Sequence, residues 1–328
     1  MASNDESTLD AQAQSAAQPH PDACFDASWL ALRKVADSAA RAPELEARAA
    51  DWLRQRRSAA APGQPLRLID LGSGSGANPC HLAPRLPGPQ HWTLIDHDAG
   101  LLSRALTACA GLRDAEGASA SVVTHCLDLG RIDASTLAGT DLVCASALLD
   151  LVDTAWLDQL ADACAATGSA LLVTLSVDGT WRFLPDAAAT KAALAIAAAD
   201  DDFVRTAFNA HQRRDKGLGA ALGPDAASTL ATRLEERGFQ VRLMPSPWRL
   251  RLDQPAHAAL ALALIDGWRD AASAQQPDEC ARIAAWHARR ITDCDHDRGR
   301  DGGPGGGALE VGHLDLFATP PRAAPCAD

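Results

Sequence analysis

The chain has no tyrosine, and aromatic residues make up 4% of its 328 positions, as eight tryptophans and six phenylalanines. It also lacks net positive charge: Lys+Arg 30 against Asp+Glu 42 gives a formal charge of −12. So acidic a chain is poorly steered onto phosphate backbones or anionic headgroups, so no nucleic-acid or membrane partner is expected. The local basic runs at 54–57 and 213–216 read as solvated helix faces. Long apolar runs are missing too: the most apolar helical stretch, 258–265, is far too short to span a bilayer. The opening MASNDESTLD has neither a basic nor an apolar region of the kind a secretory signal needs. Nine cysteines are odd in number, scattered, and never in a C-x-x-C pair. That argues against a disulfide or zinc framework and for buried thiols in a reducing, cytoplasmic setting. The histidine spacing implies no metal site.

What is present suits a large folded unit: 47% hydrophobic and 22% charged residues exclude wholesale disorder. Residues 1–23 are polar and rich in Ala, Gln and Pro, and are expected to be a disordered lead-in. Residues 24–60 read as an N-terminal helical cap. One apolar stripe there carries Trp29, Leu30, Leu32 and Val35, and a second carries Leu45, Ala49, Trp52 and Leu53. From residue 61 the period changes. Short apolar runs at 66–71, 92–96, 121–126, 141–145 and 170–175 alternate with helical segments at 98–110, 131–137 and 153–166. Such alternation predicts an α/β, doubly wound, mostly parallel sheet. Right-handed crossovers then place every parallel strand's carboxyl end on one edge, where ligands bind. A helix over 225–237 and a half-buried strand carrying Phe239, Val241 and Leu243 complete a core ending near 254. A helical insertion (255–295), a Gly-rich linker (296–307) and a last strand with its tail (308–328) follow.

The strongest local signal is Asp70-Leu71-Gly72-Ser73-Gly74-Ser75-Gly76, a buried strand running into a glycine-punctuated turn. Glycine tolerates positive φ and leaves no Cβ in a ligand's way. Asn78 and Pro79 suit the cap and first turn of the next helix, which Pro84 and Pro87 keep short. Two cofactors fit. Gly72-x-Gly74-x-x-Ala77 matches a loose dinucleotide fingerprint, with Asp96 at a plausible distance for a ribose partner. The other is S-adenosylmethionine (SAM), whose cationic tail suits Asp70, whose ribose suits Asp96, and whose adenine suits Asp128 and Leu129.

These residues resemble the class I SAM-dependent methyltransferases. The segment 70–76 is similar to that family's first motif, Asp96 to its second acidic position, His125-Cys126-Leu127-Asp128-Leu129 to its adenine contact, and 141–146 to its fourth strand. The resemblance implies a Rossmann-like, seven-stranded sheet whose last strand is antiparallel. Residues 239–244 and 309–317 would supply strands six and seven, with N-terminal helices and a helical insertion before the last strand. It also implies a SAM cofactor, held by Asp70, Gly72, Ser73, Gly74, Gly76, Asp96, His97, Asp128, Leu129 and Ser146. The expected activity is methyl transfer to a small-molecule acceptor, with oxygen or carbon favoured, since the Asn/Asp-Pro-Pro-aromatic tetrapeptide of many amino-group methyltransferases is absent.

Methyl transfer from a sulfonium is an in-line displacement, so alignment and deprotonation of the acceptor are what a protein supplies. Asp150, just past the fourth strand, and His211, whose imidazole titrates near neutrality, are the candidate catalytic groups. Trp181, Arg182 and Arg214 are candidate substrate contacts. The bland alternatives are a helix-terminus carboxylate for Asp150, a cationic helix end for 211–216, and a plain hairpin for 177–182. An NAD(P)-dependent oxidoreductase and a non-catalytic SAM-binding protein stay open as alternatives.

Overall fold

A computed structural model describes residues 27–61, 63–184, 191–214, 220–298 and 307–321. The expected lead-in at 1–23, the linker from 299 to 306 and the tail beyond 321 lie outside them.

Two helices open the described chain, α1 (Ala27–Ala40) and α2 (Pro43–Ala59). Pro43 sits in the first turn of α2, Glu44 and Glu46 face its positive end, and Arg56 and Arg57 its negative end. Then come β1 (Leu66–Leu71), α3 (Ala77–Leu82), β2 (Gln90–Asp96), α4 (Ala99–Ala108), β3 (Ser121–Cys126), β4 (Leu142–Ser146), α5 (Thr154–Thr167) and β5 (Ala170–Leu184). The remainder is α6 (Lys191–Gln212), α7 (Ala226–Glu236), β6 (Gln240–Pro245), β7 (Trp248–Arg251), α8 (Pro255–Gln275), α9 (Cys280–Arg298) and β8 (Ala308–Thr319).

The sheet runs β3-β2-β1-β4-β5-β8-β6, with β7 also paired to β8. The pairings among β1 to β5 are parallel, and β8 runs antiparallel to β5, β6 and β7. This is the Rossmann-like sheet the resemblance implies, with one strand more than the seven expected. The eighth is β7. It continues the register of β6 along β8 after a break at Ser246–Pro247, where proline has no N–H to give the ladder.

Both faces of the sheet are covered. Ile69, Leu71, Val143 and Val173 pack under α5 and α7, while Leu68, Trp92, Leu94 and Leu142 pack under α2 and α4. The N-terminal pair therefore divides: α2 belongs to a covering layer, and α1 lies toward the carboxyl edge. A third cluster sits beyond that edge. There β5 runs on to Leu184, past the expected end at 175, and with β7 and β8 supports α6, α8 and α9 through Trp181, Trp248, Trp268 and Trp286.

The helix expected over 131–137 does not form. A 3-10 turn spans Leu129–Arg131, and turns follow it. Asp133 accepts from the amides and hydroxyls of Ser135 and Thr136, a local arrangement that competes with helix, and Gly139 (φ 70°) closes the segment.

One buried carboxylate ties the edge together. Asp315 of β8 is 1% exposed. It accepts hydrogen bonds from the amide of Ala42 (2.9 Å) between α1 and α2, the amide of Leu175 (2.7 Å) in β5, and the hydroxyl of Ser246 (2.6 Å) in the β6–β7 break. Leu175 holds a positive φ of 57° at the irregularity in the β5–β8 ladder. Such a conformation persists in a side-chain-bearing residue only where the surroundings fix it. Removing Asp315 strands three buried donors. Asp315→Ala is therefore expected to cost about 2–4 kcal/mol in urea unfolding. Arg182→Ala, which breaks the exposed Arg182–Glu310 pair (2.7 Å), should cost under about 1 kcal/mol. Equal losses in the two variants would contradict this role.

Candidate active site at the carboxyl edge of the sheet

The turn after β1 has positive φ at Gly72 (65°), Gly74 (50°) and Gly76 (82°), values that favour glycine. A Cβ on Gly72 would lie 3.1 Å from Leu148, and one on Gly74 would lie 3.5 Å from Leu30 of α1. The space above the loop is thus bounded by the segment after β4 and by α1. Ser73 is buried and staples the loop to β2: its hydroxyl donates to the Asp70 carbonyl (2.7 Å) and accepts from the Ile95 amide (3.0 Å).

Asp96 ends β2 and holds the loop from the other side. Its Oδ2 accepts from the Gly74 amide (2.8 Å) and its Oδ1 from the Asp98 amide (3.0 Å), with His97 Nδ1 3.4 Å away. Asp98 caps α4 through the amides of Gly100 and Leu101. Asp128 is exposed and caps the 3-10 turn through the Gly130 amide (2.9 Å). The Leu129 side chain is in the core, and its carbonyl accepts from Trp156 Nε1 (2.9 Å).

Below the loop runs a buried polar chain. Asp70, 1% exposed, accepts from Asn78 Nδ2 (2.5 Å) through Oδ1, while its Oδ2 is buried without a partner. Asn78 Oδ1 accepts from Arg41 Nη1 (2.8 Å). The same nitrogen donates to Thr174 Oγ1 (2.7 Å), and Nη2 donates to Ser146 Oγ (3.4 Å). Arg41 is 8% exposed and its Nε–H is also buried without a partner. Burial raises the Asp70 pKa to about 7, against the bond from Asn78 and the nearby Arg41 charge. Burial also lowers the Arg41 pKa, and the carboxylates of Asp315, Glu46, Asp37 and Asp70 oppose that shift.

Sequence reasoning missed Arg41 and saw in Asn78 only a helix cap. The one sign of Arg41 in the sequence is a lone cation in the break between two striped helices.

Asp150 lies in a 3-10 turn (Leu149–Leu151) directly after β4, half-buried. His211 is half-buried in the last turn of α6. The segment 222–225 touches both neighbourhoods: the Leu222 amide donates to the Val152 carbonyl (2.9 Å), and a Cβ on Gly223 would sit 3.3 Å from Gln212. The structure thus draws Asp150 and His211 toward one turn. It does not bring Trp181, Arg182 or Arg214 to the glycine loop. Trp181 is buried in the helical cluster, stacked 4.3 Å from Trp268. It lies on the order of 20 Å along β5 from Thr174. Arg182 pairs with Glu310 on an exposed face, and Arg214 donates to the Ala274 carbonyl (3.1 Å) at the end of α8. Among the described residues there is no cluster of three or more His, Cys, Asp or Glu that could hold a metal, and no helix long and apolar enough to cross a membrane.

No model of a known protein family matches the chain, and no curated protein does. Solved structures are similar at low identity. The SAM-dependent methyltransferase SibL in its apo form is 20% identical over 58% of this chain and 50% of its own, with a TM-score of 0.34. An O-methyltransferase family protein from Burkholderia thailandensis is 16% identical over 67% of this chain and 54% of its own, with a TM-score of 0.39. The plantazolicin methyltransferase BpumL in complex with SAH is 11% identical over 90% of this chain and 93% of its own, with a TM-score of 0.38. The match to SibL thus spans half of that protein's length.

The buried acid has a measurable consequence. Folded, Asp70 keeps its proton up to about pH 7, whereas an unperturbed carboxyl releases it near 3.8. Between those values the folded state binds more protons than the unfolded chain, so stability falls as pH rises through that window. Asp70→Asn is expected to flatten this component of the calorimetric Tm profile and to raise Tm above pH 7. An unchanged slope between pH 4 and 7 would show that Asp70 folds ionised.

Proposed function

We propose that the chain is a SAM-dependent methyltransferase acting on a small-molecule acceptor by direct in-line transfer, with an oxygen or carbon nucleophile favoured. The observation that carries this reading is the pairing of two unmet buried groups at one edge. Arg41 Nε–H is a donor without an acceptor, and Asp70 Oδ2 is a buried carboxyl oxygen without a partner, free to accept once the group gives up its proton near pH 7. A zwitterionic amino-acid tail supplies both complements, a carboxylate for the guanidinium and an ammonium for the carboxyl. Asp96 stands at the end of the next strand, where its oxygens retain lone pairs for two ribose hydroxyls. The dinucleotide alternative fits less well. A pyrophosphate needs free loop amides, and the Gly74 amide is already committed to Asp96.

When bound, SAM supplies a methyl group already activated by a sulfonium. The chain's own residues then do the rest. Arg41 and Asp70 fix the tail, Asp96 the ribose, and Asp128 with Leu129 the adenine side. Gly72, Gly74 and Gly76 keep the approach clear of side chains, with Ser73, His97 and Ser146 bordering it. Asp150 orients the acceptor at the end of β4, and His211 takes the acceptor's proton. The proposed setting is cytoplasmic.

Titration calorimetry tests the reading. Saturable SAM binding with no NADH binding is expected, and NADH binding without SAM heat would overturn it. Asp96→Ala should weaken SAM by about 1–3 kcal/mol, roughly fivefold to 150-fold. Unchanged affinity in a folded variant would contradict the ribose assignment.

A further inference from the structure

Two cysteines 29 positions apart meet beside the glycine loop. Cys80 lies in α3, immediately past the loop, and is partly exposed. Cys109 is the buried C-cap of α4. Their sulfurs are 3.7 Å apart, which is contact without a bond. Cys109 also packs on the loop itself: its Sγ lies 4.0 Å from the Gly76 carbonyl, and a Cβ on Gly76 would come within 3.2 Å of it. The other described cysteines differ. Cys144, Cys164 and Cys294 are buried, and Cys126 and Cys280 are exposed.

We propose that Cys80 and Cys109 form a redox-active dithiol, in which Cys80 is the nucleophile toward a low-molecular-weight disulfide and Cys109 the resolving thiol. The two sulfurs divide these roles by position. Cys80 is the one a solute can reach, and Cys109 waits behind it. The hydrogen bond from the Cys109 thiol lowers the Cys80 pKa below the usual thiol value, with partial burial opposing the shift and Lys34 of α1 adding to it. The same bond, burial and the nearby Asp70 raise that of Cys109. Cys80 is thereby shifted toward the thiolate, the form that attacks.

The chemistry balances with the disulfide RSSR as oxidant. Cys80 thiolate attacks one sulfur, the RS–SR bond breaks, and RS⁻ leaves and takes a proton from water. Cys109 then gives its proton to solvent and attacks Cys80 Sγ, and the second RS⁻ departs. Two protein thiols are oxidised to one bridge, and one RSSR is reduced to two RSH. The sulfurs must close from 3.7 Å to about 2.05 Å. The bridge would tie the helix after the loop to the end of α4 beside Gly76, directly at the proposed cofactor edge. The dithiol stands on the sulfur geometry and does not require the cofactor assignment.

The test uses the full chain with Cys24→Ser, Cys126→Ser, Cys280→Ser and Cys326→Ser, which removes the two exposed cysteines among the described residues and the two that lie outside them. Oxidised glutathione is the probe, and non-reducing peptide mapping with thiol titration is the readout. The expected result is the loss of two titratable thiols and a linked Cys80–Cys109 peptide, reversed by dithiothreitol. Cys109→Ser should instead trap glutathione on Cys80, and Cys80→Ser should leave Cys109 unmodified. A bridge elsewhere, no bridge, or glutathione on Cys109 in the Cys80→Ser protein would overturn the proposal. Circular dichroism of each serine variant separates loss of fold from loss of chemistry.

Discussion

A guanidinium held out of water has to be answered by oxygens, and at this sheet edge almost everything is arranged around that demand. Arg41 sits where α1 gives way to α2, and it reaches Asn78 from the loop's helix, Thr174 from β5 and Ser146 from β4. These contacts come from parts of the chain up to 133 positions apart. Desolvation makes each of them worth more than it would be in water, and makes each unmade one costly. Within the protein, Nε–H and the Asp70 Oδ2 have no partner there, so each calls for one from outside it. The two orphans are the physical ground for reading this edge as a binding site.

The long last strand makes the arrangement possible. Its outer half pairs with β6, and its inner half pairs with β7 on one side and the extension of β5 on the other. Asp315 lies near the inner end of the β6-paired half and binds the α1–α2 junction, the kinked β5 backbone and the β6–β7 break at once. The backbone position of Arg41 is thereby fixed by the residue next to it, Ala42. Positive φ at both Ala147 (51°) and Leu175 (57°) shows how strongly the edge is constrained, since each lies just past a point where β4 and β5 pair. The helical layer beyond, with Trp181 stacked on Trp268, is a separate apolar body and supplies α6, whose last turn carries His211.

Much of the sheet could be read from the chain because its signals are local. The runs at 66–71 and 92–96 became buried strands at nearly those bounds, and 121–126 became the exposed edge strand, since a strand declares itself by five or six consecutive apolar or β-prone residues. The glycine loop and the position of Asp96 were legible for the same reason. What stayed hidden was long-range. Nothing near Arg41 announces Thr174, nothing near Cys80 announces Cys109, and β7 exists only because β8 is long enough to pair with a second segment. Trp181 and Arg182 were placed near an acceptor on the supposition that β5 ends at the edge. It runs on instead, and carries them into the helical layer and onto an exposed ladder pair. The helix missing at 131–137 lost to Asp133, whose side chain satisfies the very amides a helix would have used.

The central claim is that the unmet pair, Arg41 and Asp70, exists to grip an amino-acid tail. Comparing calorimetric affinities of the wild-type protein for S-adenosylhomocysteine and for 5′-methylthioadenosine, which keeps the nucleoside and lacks the tail, addresses it most directly. The account predicts at least about tenfold tighter binding of the tailed ligand, a difference near 1.4 kcal/mol, and its disappearance in Arg41→Ala. Equal affinities in the wild-type protein, or a preference that survives Arg41→Ala, would contradict it.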